Sequence, residues 1–164
     1  MRKRSLGVAL TALAALTAPA AANVTPPHVM AVLRPCAAAQ LRANKSSEDA
    51  GMLHRELRIR LTNVSSRACA IDGFPAVRLL DAARHPQIVA ESFSREPQLL
   101  ILAPQQSAMF ALRVATGDGT TTYSTVPLLA VIPPGDVKPL YLRIDLPAAP
   151  RIDVTAVLKP TAFR

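Results

Sequence analysis

Tryptophan is absent from this chain, and aromatic side chains make up only 4% of it. Cysteine is almost as scarce, with two residues, Cys36 and Cys69. Each shortage excludes something. Nucleic-acid binding would call for a basic cluster interleaved with aromatics, and neither that nor a recognised motif occurs. No Cys-x-x-Cys is present and no histidine stands at ligand spacing from a cysteine, which argues against a zinc or dithiol redox site. Beyond the N-terminal residues no run approaches the about 20 apolar residues that cross a bilayer. No Gly-x-Ser-x-Gly marks a nucleophile. Gly117-Asp118-Gly119 lacks the lysine and following helix of a phosphate loop and reads as a hairpin tip. His28, His54 and His85 lie in no catalytic pattern. Glu48, Asp49 and Asp136 fall in loop-like stretches, where solvated charge is the plain reading. Met52 beside His54 is the one close Met/His pair, too little for a copper site. No catalytic residue, cofactor or metal is expected.

What is present begins with an export signal. Arg2, Lys3 and Arg4 precede an apolar run over residues 6–18 (LGVALTALAALTA), followed by Pro19 and the small residues Ala20, Ala21 and Ala22. That is the form of a secretory signal peptide over residues 1–22. No cysteine follows the cleavage region, so a lipid anchor is not expected, and the destination reads as periplasmic or secreted. The formal charge of the whole chain is +8. Cleavage would take three of its 19 basic residues, leave its 11 acidic ones and give +5. A modest positive charge on an exported domain favours loose attraction to anionic lipids or wall polymers.

Residues 23–35 carry Pro26, Pro27 and Pro35 and read as an extended leader. From residue 36 to about 160 the pattern is strand, turn, strand. Leu53, Leu57, Ile59 and Leu61 alternate with His54, Glu56, Arg58, Arg60 and Thr62, the period of a half-buried strand. The same period recurs at Ala108, Phe110, Leu112 and Val114, at Leu140, Leu142, Ile144 and Leu146, and at Ile152, Val154, Ala156 and Leu158. Residues 76–80, 88–90, 99–102 and 128–132 are shorter candidates. Residues 40–43 lean to strand, although the alanines before them favour a helical turn. Pro133-Pro134-Gly135-Asp136 is a strong turn. Short strands at this spacing predict an all-β chain, an immunoglobulin-like antiparallel β-sandwich of about seven to eight strands.

In an oxidising compartment two cysteines most simply form one disulfide. Cys36 precedes the first strand candidate and Cys69 follows the second, so neighbouring antiparallel strands bring them to one end of the sandwich. Gly73 suits a tight turn with positive φ, Pro75 fixes the entry to the next strand, and Phe74 is expected to plug the end of the sandwich. Asn23, Asn44 and Asn63 each open a glycosylation pattern, read here as coincidence.

At these residues the chain resembles a family of exported bacterial domains, domain of unknown function 4232. The resemblance rests on Cys36, Leu41, Thr62-Asn63, Cys69-Ala70-Ile71-Asp72-Gly73-Phe74-Pro75, the strand from Val77 to Asp81, Leu102-Ala103-Pro104-Gln105-Gln106-Ser107-Ala108 and Val131-Ile132-Pro133-Pro134-Gly135. Gln105 stands where the family usually has glycine. The second cysteine pair that such domains often carry would fall near residues 121–124 and 147–149, and neither stretch has a cysteine. The resemblance implies an immunoglobulin-like sandwich outside the cytoplasm, with no established activity.

The function expected is therefore an exported, non-enzymatic module that binds a protein or an anionic component of the cell envelope. Arg58 and Arg60 on the wet face of their strand, and Asp72 and Phe74 in the turn after Cys69, are the candidate contacts, with the loop over residues 118–125 beside them. The alternatives are an exported enzyme or metal-binding protein whose site forms only in three dimensions, and a purely structural envelope component. Oligomeric state is left open.

Overall fold

A computed structural model describes residues 33–51, 53–89, 91–92, 95–116, 124–148 and 151–163. The expected signal peptide over residues 1–22, the expected leader as far as residue 32, Met52 and residues 117–123 lie outside the described residues. A 3-10 turn over Ala38–Gln40 leads into β1 (Leu41–Ala50) and β2 (His54–Asn63). Then come β3 (Cys69–Ile71), β4 (Ala76–Leu80), β5 (Pro86–Val89), β6 (Glu91–Ser92) and β7 (Leu100–Leu102). β8 (Ser107–Ala115), β9 (Thr125–Ile132), β10 (Leu140–Pro147) and β11 (Ile152–Val154) complete the set. Seven of these have four residues or more; of the four shorter ones, β7 and β11 are among the sequence candidates and β3 and β6 are not.

The strands form a five-stranded sheet in the order β1-β2-β8-β11-β6, a four-stranded sheet β10-β9-β4-β5, and a small ladder of β3 with β7. Pairing is antiparallel, except that β11 runs parallel to β6 and Pro35 bridges Ala70 in parallel. Period two then does what it should. Leu57, Ile59 and Leu61 of β2 and Phe110, Leu112 and Val114 of β8 turn inward and meet Val77, Leu79, Leu129, Val131 and Leu142 of the second sheet. Each such side chain contributes about 1.5–3 kcal/mol by leaving water. The result is the antiparallel β-sandwich that the alternation implies.

Several local expectations need correction. Residues 38–40 are a turn, and the strand starts at Leu41. The Gln40 amide donates to the Ala37 carbonyl (2.9 Å) and the Gln40 side chain accepts from the Ala37 amide (3.1 Å), which closes the turn. Glu48 and Asp49 are not in a loop, because β1 continues through them opposite Leu57 and Glu56. Leu53 lies before β2 and is 55% exposed. Met109 and Ala111, on the nominally wet face of β8, are buried, because residues 155–163 lie against them. β11 ends at Val154. Thr155 still pairs with Ala111 and Leu158 with Met109, so three residues span what two span on β8, a bulge that breaks the alternation. Phe74 does not plug the end of the main core. It packs on this second cluster of Met109, Ala111, Ala156, Leu158 and Phe163.

The motif residues converge on corners. Cys36 and Cys69 are joined in a disulfide, Cα–Cα 4.9 Å, with both residues buried. Gly73 has φ +105°, as its turn requires, and its carbonyl accepts from the Val157 amide (2.9 Å). Gly135 has φ +81°, and a Cβ there would press on the Pro35 ring at 3.2 Å. Gln105 has φ +65°. That left-handed backbone costs a residue with a Cβ about 1–2 kcal/mol and explains why glycine suits the position. Gln105→Gly is expected to raise unfolding free energy by about 0.5–1 kcal/mol, the strain relieved less the extra freedom of glycine in the unfolded chain. Urea denaturation would check it, and a loss of stability would show that the turn is unstrained.

Two carboxylates, Asp136 and Asp81, tie loops down, and a third, Glu48, links β1 to β2. Asp136 accepts from the amides of Ala38 (2.5 Å), Val137 (2.6 Å) and Lys138 (3.2 Å), which hold its carboxyl below the ordinary aspartate value. The backbone N–H of His85 does the same for Asp81, against an upward pull from desolvation. Burial pulls Glu48 upward, but hydrogen bonds from Arg55 and Lys45 outweigh it and leave a net lowering. Depressed carboxylates stabilise the fold above their unfolded values, and that contribution is lost as pH falls through the lower folded ones. Thermal midpoints should therefore hold at neutral pH and fall below about pH 4.5. Asp136→Asn should lower the midpoint at pH 7 and flatten this acid dependence, and an unchanged profile would remove Asp136 from the account.

Candidate functional site

The outer face of the five-stranded sheet carries the charge. Strand register sets its layout. Arg42 of β1 opposes Thr62, and Asn44 opposes Arg60. Across the next ladder Arg60 opposes Met109, Arg58 opposes Ala111, Glu56 opposes Arg113 and His54 opposes Ala115. Asp153 of β11 then opposes Arg113 from the other side. Directly opposed residues share a face, so Arg42, Arg58, Arg60, His54 and Arg113 stand together with Glu56 and Asp153.

These groups are not equally available. Arg58 is committed inside the chain: its Nε meets Glu56 at 3.1 Å and its Nη1 donates to the Phe163 carbonyl at 2.7 Å. Arg95 reaches the same segment, donating to the Ala162 carbonyl (3.0 Å) and lying over the Phe163 ring (5.3 Å). Arg58 is thus a clamp on residues 160–163. Arg60 is exposed and donates to the Ser46 hydroxyl (3.2 Å), and Arg42 is exposed. Asp72 is exposed elsewhere, lining a cleft with Leu33, Pro35 and Leu99. Phe74 and Arg58 touch the same C-terminal segment, but Asp72 joins neither.

At one end of the face lies a cleft of about 250 Å³, lined by Leu53, His54, Arg113, Ala115, Arg151 and Asp153. Arg113 Nη2 approaches His54 Nε2 at 2.9 Å, and Arg151 Nε lies 3.3 Å from Asp153 Oδ1. Gly51 makes room for the imidazole, since a Cβ there would stand 2.4 Å from His54 Cε1. Sequence reasoning put His54 on the wet face of its strand and singled out none of Arg113, Arg151 or Asp153. Alternation marked Arg113 as outward, but only cross-strand register puts it beside His54. A larger groove of about 580 Å³ runs along β7, and Lys159 is the one charged residue among the described residues lining it.

Among the described residues no three His, Cys, Asp or Glu side chains are grouped to hold a metal ion, and no helix is long and apolar enough to cross a membrane. The Asn63 side chain is buried with both amide protons donated, so the Asn63-Val64-Ser65 pattern is spent on the fold.

No curated protein matches this chain. Among solved structures, a β-glucosidase from Kluyveromyces marxianus is similar over 65% of this chain and 14% of that one, at 9% identity and a TM-score of 0.33, too distant to carry an argument. The description "Domain of unknown function (DUF4232)" matches residues 36–158, from the disulfide to the last bridge on β8, and the chain belongs to that family.

Proposed function

We propose that this is an exported, non-enzymatic β-sandwich module, periplasmic or secreted, that binds an anionic component of the cell envelope through the outer face of its five-stranded sheet. The observation that carries the reading is the register that sets Arg42, Arg60 and Arg113, all exposed, on one face of three adjacent strands. The signal-like N-terminus and the buried disulfide support an oxidising destination. Surface arginines act over about 8–10 Å in physiological salt, so attachment should be salt-sensitive. The mature chain is expected to sediment with envelope fractions at low salt and to release at high salt. Arg42→Gln with Arg60→Gln should weaken that attachment. Sedimentation indifferent to salt and to both changes would overturn an electrostatic face, and hydrolase activity in the purified chain would overturn a binding module.

A further inference from the structure

We propose that the cleft between the start of β2, the end of β8 and the start of β11 is a phosphate-binding site, with Arg113, Arg151 and His54 as its donors. The pairing of charges at that end of the sheet is the reason. Arg113 is directly opposed by a carboxylate on each side, Glu56 on β2 and Asp153 on β11. An arginine so placed would ordinarily take one of them. Instead Glu56 meets Arg58, and Asp153 meets Arg151. Arg113 turns to a ring nitrogen of His54, at 2.9 Å, through one terminal nitrogen. A guanidinium has five N–H donors in a planar fork, so this contact leaves most of the fork of an exposed residue facing the cleft it lines.

The surroundings are built for that arrangement. Gly51 donates its amide to the His54 carbonyl (2.8 Å) and leaves space that any Cβ would close against the ring. Asp153 orients Arg151 at the opposite wall. Leu53 and Ala115 supply apolar surface, which strengthens charge-assisted hydrogen bonds by keeping water off one side. Two guanidinium groups and an imidazole converge from three strands or strand ends. A carboxylate offers two oxygens to such a set, whereas a phosphate group offers three or more and suits the bidentate fork. The ligand class is therefore a phosphate group, carried by a lipid headgroup or by a phosphate-containing wall polymer.

The site shares with the function proposed above Arg113 and the expectation that its natural ligand is an envelope anion, and free phosphate tests it independently. Inorganic phosphate titrated into the labelled mature chain should give saturable amide shifts at Leu53, His54, Ala115 and residues 151–153. Arg113→Gln and, separately, Arg151→Gln should each weaken affinity about tenfold, the loss of one charge-assisted hydrogen-bonded contact. Arg42→Gln should change it less than about twofold, since Arg42 lies far along the face. Gly51→Ala should weaken it by displacing the ring. Equal small effects at Arg42 and Arg113, or shifts that do not saturate, would overturn the site even if envelope sedimentation succeeds. A tenfold loss at Arg113 with no envelope attachment would keep the site and sink the function proposed above. Broadening of the same resonances by phosphatidylglycerol vesicles, reversed by phosphate, supports the site with a lipid source. The same response to a soluble glycerol-phosphate polymer but not to vesicles supports it with a wall polymer.

Discussion

Asn63→Ala is expected to lower unfolding free energy by about 3–4 kcal/mol, because it strips a buried node of every side-chain hydrogen bond at once. Asn63 Nδ2 donates to the carbonyls of Arg67 and Leu102, both at 2.8 Å. Its Oδ1 accepts from the Ser65 amide (3.0 Å) and hydroxyl (2.7 Å). Alanine would keep the backbone bonds, in which Asn63 donates to Gln106 (2.9 Å) and accepts from Gln105 (2.7 Å). It would leave the buried contact to Leu102 unmade, and each orphaned polar group costs about 1–3 kcal/mol. Asn63→Asp should do more harm at neutral pH, since it sets a carboxylate against two carbonyl oxygens. Urea unfolding measures both. A loss below about 1 kcal/mol for alanine would mean that the backbone bonds alone hold this corner.

Removing the disulfide should cost about as much. Cys36 and Cys69 are 33 residues apart and enclose the 3-10 turn, β1 and β2. Constraining a loop of that length in the unfolded chain is worth about 3–4 kcal/mol on the chain-entropy account. The double change Cys36→Ala and Cys69→Ala avoids burying new hydroxyls and isolates that term. Its unfolding midpoint should fall, and reductant should bring the unaltered chain down to a similar level. Equal midpoints with and without reductant would show that the hydrogen bonds of Cys36 to Ala70 (2.8 Å) and Ala70 to Arg34 (2.9 Å) suffice without the covalent link.

Both predictions fall on motif residues, which shows what was legible in the sequence. Thr62-Asn63, Cys69, Leu102 and Ser107 read as separate signals along the chain. In space Cys69 pairs with Leu102, Asn63 binds the Leu102 carbonyl, and the Thr62 and Ser107 hydroxyls meet at 2.8 Å. These motifs describe one corner of the fold. Period two located β2, β8 and β10 because one face of each must leave water. The same rule failed at Met109 and Ala111, since alternation says which residues turn outward and nothing about what is later laid over them. Nor could it show the hold of Arg58 on the Phe163 carbonyl, 105 positions away. The cleft was hidden for the same reason: His54 and Arg113 are 59 positions apart, and no local pattern records a register between strands.

The second apolar cluster divides β8 in a way that concerns motion. Met109 and Ala111 send their amides to Leu158 and Thr155, whereas alternation turns the amides of Phe110 and Leu112 to β2. Lifting residues 155–163 would release the first pair and draw Val157 out of the main core, while Phe110 and Leu112 stay bonded to β2. Deuterium should accordingly enter β8 at two tempos, Met109 and Ala111 following the peeling of a flap and Phe110 and Leu112 waiting for the whole sandwich to open.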